Sequence, residues 1–180
     1  MKIIKWSAGI LLIAIALIVA IAYSLPNEYK VSRSVVIRST PALLFPMIAS
    51  PKEWKNWSVW NQRDPDMKLE FSGPESGADA AWEWKSKSQG NGGMKITHVG
   101  PNRIIDYELH FEGMGKPSTG AFLLEAQAQG TKITWTMEGT SEGNFMMKLF
   151  GPFMDKMVGP DFEAGLSNLK KLAEKNYVQN

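Results

Sequence analysis

The segment Gly120-Ala121-Phe122-Leu123-Leu124-Glu125-Ala126-Gln127-Ala128-Gln129-Gly130-Thr131-Lys132-Ile133-Thr134-Trp135-Thr136-Met137-Glu138-Gly139 holds two alternating runs joined by a glycine-containing turn. Taken as a two-residue turn at Gln129-Gly130, it sets Leu124 opposite Trp135, Phe122 opposite Met137 and Ala126 opposite Ile133. Thr134, Thr136 and Glu138 then share the other face. The preceding hairpin behaves the same way. A turn at Pro101-Asn102 sets Ile96 opposite Tyr107 and Met94 opposite Leu109, with Asp106 and Glu108 outward. Two hairpins with one apolar face each predict an antiparallel sheet that is covered on one side only.

Working outward, period-two patterning predicts further strands over 29–38, 67–72, 80–87, 93–99, 103–112, 120–127 and 131–139. Between the first two, Ser39-Thr40-Pro41 and Ser50-Pro51 each place a capping residue before a first-turn proline, which predicts two short helices over 42–49 and 52–56. A long helix over about 144–175 closes the chain, with a break expected at Gly159-Pro160. Phe145, Leu149, Phe153 and Met157, then Phe162, Leu166, Leu169 and Ala173, recur at helical spacing and supply the cover for the sheet. The expected class is α+β, with about seven strands wrapped on a long C-terminal helix.

The 180 residues include seven Trp and ten Met, no Cys, and a net charge of +2 with acids and bases interspersed. No disulfide, thiolate ligand or cysteine nucleophile is available, and no basic stripe points to nucleic acid. Between Lys5 and Glu28 no residue is charged. Residues 6–25, ending on Tyr23 and Pro26 and opening on Trp6, predict one transmembrane helix. Ala20-Ile21-Ala22 keeps a cleaved signal open. The expected organisation is an anchor over 1–28 and a domain over 29–176. The expected location is a single-pass membrane protein with its domain on the periplasmic or extracytoplasmic side.

Local wording then carries a resemblance. Ser50-Pro51, Trp54, Trp57-Ser58-Val59-Trp60, Asp64-Pro65, Gly73-Pro74, Gly77-Ala78, Trp82-Glu83-Trp84, Gly130-Thr131, Thr134-Trp135 and residues 162–170 (FEAGLSNLK) follow one another in order. So arranged, residues 29–174 resemble the helix-grip proteins of the START-like (SRPBCC) superfamily, in particular its polyketide cyclase/dehydrase and lipid-transport group. Val59 departs from the pattern, since many relatives have proline there. The resemblance implies a hydrophobic cavity between sheet and helix, not one reaction.

Residues expected to line or rim that cavity are Trp57, Trp60, Trp82, Trp84, Ile96, His98, Tyr107, Leu109, Phe122, Trp135, Met137, Phe153 and Met157, with core packing as the competing role for each. Met94 and Met154 suit an adaptable wall. His98 is expected inward and His110 outward, so they cannot share a metal. Arg33 falls on the face of Val31, Val35 and Ile37. No catalytic motif, metal spacing or phosphate loop is present, and no cofactor is expected. The expected partner is a hydrophobic small molecule or lipid, with the membrane contacted through the first helix. Two alternatives stay open: a cyclase- or hydrolase-type enzyme using His98 or Tyr107 as acid/base, and a protein-interaction module with no ligand. Gly159-Pro160 and the loop 113–120 are the expected gates.

Overall fold

The computed structural model describes residues 2–177. After helix α1 (Lys2–Ser24) comes strand β1 (Glu28–Ile37), then α2 (Pro41–Ala49), a 3-10 turn (Pro51–Asn56) and α3 (Val59–Arg63). Six strands follow: β2 (Lys68–Ser72), β3 (Ala81–Lys85), β4 (Gly92–Gly100), β5 (Ile104–Phe111), β6 (Ser118–Gln127) and β7 (Gly130–Thr140). The chain closes with α4 (Phe145–Phe150), a 3-10 turn (Gly151–Phe153) and α5 (Met154–Tyr177). The seven strands form one sheet in the order β1-β7-β6-β5-β4-β3-β2, every neighbouring pair antiparallel. β2 to β7 are a meander, and β1 closes its far edge against β7. α2, the 3-10 turn and α3 carry the chain from one edge of the sheet to the other.

The alternation read from the sequence sets the inner face. Val31, Trp82, Met94, Ile96, Tyr107, Leu109, Phe122, Ile133, Trp135 and Met137 are all buried there. α5 covers them with Phe162, Leu166, Leu169 and Ala173, also buried. This α+β helix-grip arrangement is the class that the sequence predicts.

Two registers differ in detail. In the β6–β7 hairpin, Gln127 pairs with Gly130, so the turn is Ala128-Gln129 and Phe122 faces Trp135 while Leu124 faces Ile133. The slip is two residues, and with a side-chain period of two it leaves every face unchanged. In the β4–β5 hairpin Ile96 faces Tyr107 as expected, but a bulge follows and His98 faces Asp106 instead of position 105. The extra residue, Thr97, turns His98 to the outer surface.

The closing helix breaks earlier than expected. α5 runs on through Pro160, and the interruption lies at Gly151–Phe153. That 3-10 turn changes the phase of the helix, so Met147 and Met154 are buried while Phe145, Phe153 and Met157 are exposed. Gly159 has another purpose, because a Cβ there would strike the guanidinium of Arg33. Arg33 reaches from β1 to donate to Asp155 Oδ1 at 2.7 Å and Oδ2 at 3.1 Å, and to Glu163 Oε1 at 2.5 Å. It ties the edge strand to α5, and these bonds hold the Asp155 carboxyl below its ordinary range.

The reading of residues 6–25 as a membrane-spanning anchor is corrected. Among the described residues no helix is long and apolar enough to cross a membrane. The side chains of Lys2 and Lys5, the charged start, lie outside the described residues. The single-pass placement, the membrane partner and the extracytoplasmic side fall with the anchor. α1 meets the rest of the chain at its C-terminal end, where Ala22 is buried and lines a surface hollow with Asn27, Ser141 and Phe145.

Candidate functional site

Between sheet and α5 the centre is solid. Trp135 lies flat on Phe162 at 3.8 Å between ring centroids and 7° between planes, and on its other side stacks with Phe122 at 4.7 Å. Trp54 and Trp57, 4.5 Å apart, meet this stack edge-on. Every buried indole N–H there has an acceptor: Trp54 donates to Ile48 O at 2.8 Å, Trp57 to Met47 O at 2.9 Å and Trp135 to Tyr107 Oη at 2.8 Å. Tyr107 in turn donates to Thr136 O at 2.8 Å. Its ring crosses β6 above Gly120, where a Cβ would occupy the phenol's position.

Space is left toward one end. A cavity of about 360 Å³ lies among Tyr29, Leu109, Phe111, Ser118, Met137, Met147, Met154, Val158 and Phe162. Three further lining residues, Met114, Phe150 and Met157, are about half exposed and mark the side on which it opens. A second space of about 90 Å³ is bordered by Trp54, Trp82, Trp84, Met67, Leu69 and Met94. Trp60, Leu109 and Phe111 border both spaces and form the partition.

The partition is held from the helix side. Trp60 Nε1 donates to Asp161 Oδ2 at 3.0 Å, and Arg63 grips both oxygens of Asp161 at 2.9 and 2.5 Å. Asn168 adds bonds to Trp57 O and Gln62. α3, which carries Trp60, is thus fastened to α5. At the mouth Lys116 of the β5–β6 loop pairs with Glu142 at 2.7 Å and holds that carboxyl below its ordinary range.

The family described as polyketide cyclase / dehydrase and lipid transport matches residues 28–174. The chain belongs to that family. No curated protein matches the sequence. Among solved structures, a protein of unknown function from Staphylococcus aureus superposes with a TM-score of 0.64 at 10% identity, over 85% of this chain and 97% of its own. A protein from Rhizobium leguminosarum gives 0.61 at 14% identity, over 82% and 95% of the two chains. A protein of the dynemicin biosynthetic locus gives 0.56 at 13% identity, covering 82% of this chain and 48% of that one. At these identities the likeness is one of fold.

Within this family member the thirteen residues marked from sequence fall into three groups. Trp60, Trp82, Trp84, Leu109, Met137 and Met157 border the two spaces. Trp57, Ile96, Tyr107, Phe122 and Trp135 are buried in the solid centre. His98 and Phe153 are exposed and border neither. His98 bonds Asp106 across the outer face at 2.9 Å. The acid/base role considered for His98 therefore lacks access to the cavity. That for Tyr107 fails on chemistry: its hydroxyl is committed on both sides, and burial pushes the phenol well above its ordinary value.

Tyr29, Ser118, Met147, Phe150 and Val158 went unmarked in the sequence reading. Met147 and Val158 could have been found only by placing the helix break at Gly151-Pro152. Tyr29 had a local signal, since it opens an alternating strand on the face of Val31. Among the described residues no group of His, Asp and Glu is arranged to hold a metal.

Proposed function

We propose that the domain over 29–176 binds a hydrophobic small molecule or lipid between the sheet and α5. The observation that carries this reading is the apolar cavity of about 360 Å³ beside a fully packed aromatic centre. That size falls within the about 300–1,000 Å³ of pockets that take small ligands. The driving force is removal of ligand surface from water, about 0.8 kcal/mol per buried methylene, set against the cost of immobilising the ligand. Methionines at 114, 137, 147, 154 and 157 supply walls that can repack around different shapes. Trp60 and Leu109 form a partition through which a long ligand would reach the smaller space. Membership of a lipid-transport and cyclase family supports the apolar character of the cargo.

The test is native mass spectrometry of the purified full chain, followed by titration with a neutral fluorescent probe, 1-aminoanthracene. Retained apolar mass, or saturable probe binding that a Val158→Phe variant weakens at unchanged melting temperature, is expected. Absence of both would sink the reading.

A further inference from the structure

The larger cavity holds one polar feature that packing leaves incomplete. Tyr29 of β1 stands opposite Gly139 of β7, and a Cβ at that glycine would occupy the position of the phenol. The ring therefore crosses β7, and its hydroxyl meets Ser118 Oγ of β6 at 2.9 Å. Tyr107 uses the same device over Gly120, but its hydroxyl is used up by Trp135 and Thr136. The Tyr29–Ser118 pair is not. Two hydroxyls sharing one bond consume one of their two protons. Neither oxygen has another partner among the described residues, and both residues line the cavity.

We infer that the Tyr29–Ser118 hydroxyl pair is the polar anchor of the larger cavity, and that it selects an apolar ligand bearing one uncharged acceptor oxygen, such as a ketone or ester. This rests on the ligand-binding reading proposed above. A free O–H in an apolar wall is satisfied by a carbonyl brought in by the ligand, and stays unmet beside a hydrocarbon. A carboxylate is the poorer match. Lys116 is the single charged residue of the lining, and its ammonium is already paired with Glu142. Arg33, on the same face of β1, is consumed by Asp155 and Glu163. An anion would enter with no cation free to replace its water.

The experiment uses the full chain, bound 1-aminoanthracene, and displacement by 2-decanone, n-decane and decanoate at pH 8. In the wild-type protein 2-decanone is expected to displace best. In a Tyr29→Phe/Ser118→Ala double variant its advantage over decane should shrink about two- to tenfold, the span of one neutral hydrogen bond. Ser118→Ala alone keeps the Tyr29 hydroxyl and should retain the advantage. Should the double variant fail to fold, the carbonyl stretch of bound 13C-labelled 2-decanone in the wild type decides instead. A stretch lowered from its value in hexane supports the anchor, and an unshifted one overturns it. Displacement by all three probes with the same ketone advantage in both proteins overturns the anchor and leaves the cavity reading intact. Decanoate binding tightest overturns the uncharged class. No displacement by any of them sinks the cavity reading itself.

Discussion

Replacing Tyr107 by Phe removes one oxygen from the centre of the fold and leaves its surroundings in place. The loss has two parts. Trp135 Nε1, on a residue only 1% exposed, loses its acceptor and stays buried with an unmet N–H. Leaving such a donor unsatisfied costs about 1–3 kcal/mol. Thr136 O loses a side-chain donor, a further ~0.5–1.5 kcal/mol. The expected destabilisation is about 2–4 kcal/mol, with no cavity term because the ring remains. In urea, with a slope of about 2 kcal/mol per M, the midpoint should fall by roughly 1–2 M at unchanged slope. Tryptophan fluorescence follows the transition. Adding Trp135→Phe to Tyr107→Phe should cost less than the two single effects combined, because removing both partners leaves no orphaned donor. A midpoint within about 0.3 M of wild type, or strict additivity in the double variant, would refute the account of this pair.

Burial holds the Tyr107 phenol above its ordinary value of 10.0, so the unfolded chain loses that proton first as pH rises. Stability should be full below pH 10 and decline above it, and Tyr107→Phe should flatten that alkaline slope in urea midpoints taken at successive pH values. Asp155 behaves in the opposite sense, since bonds from Arg33 lower its carboxyl from 3.8. Its contribution is present above that value and is lost as pH falls through the lower folded value, so Asp155→Asn should flatten the acid limb of the melting-temperature profile. Gly139→Ala sets a methyl where the Tyr29 phenol lies. It should lower stability by about 1–3 kcal/mol as judged by thermal melting, and weaken 2-decanone binding more than decane binding.

The fold was legible where one residue type repeats with a fixed period. Alternation over 120–139 places Phe122, Leu124, Ile133, Trp135 and Met137 inward even though the expected turn lies one residue late, because the resulting register slip of two preserves every face. The same logic failed at His98. One inserted residue, Thr97, reverses the faces beyond it, and nothing in Ile96-Thr97-His98 announces a bulge. At the closing helix, Gly-Pro occurs twice, and sequence offers no means of choosing which pair interrupts it. The structure chooses Gly151-Pro152, because at Gly159 the missing side chain makes room for Arg33, a residue more than a hundred positions away.

The candidate site divides along the same line. Sequence alone determined a one-sided antiparallel sheet, its covering helix, the Trp- and Met-rich face between them and the absence of cysteine chemistry, since these depend on local periodicity and residue type. Tertiary structure alone decided which of those aromatic residues fill the centre and which leave space. Trp135 is consumed by stacking and Trp57 by edge-on packing against it, whereas Trp60 becomes a partition because Asp161 of α5 holds it there. It also decided that Tyr107 is silent and Tyr29 is not: both cross a glycine on a neighbouring strand, and only the partners met on the far side distinguish them. Hydrogen-bond capacity left over after packing is a sum over distant contacts, and no stretch of the chain contains it.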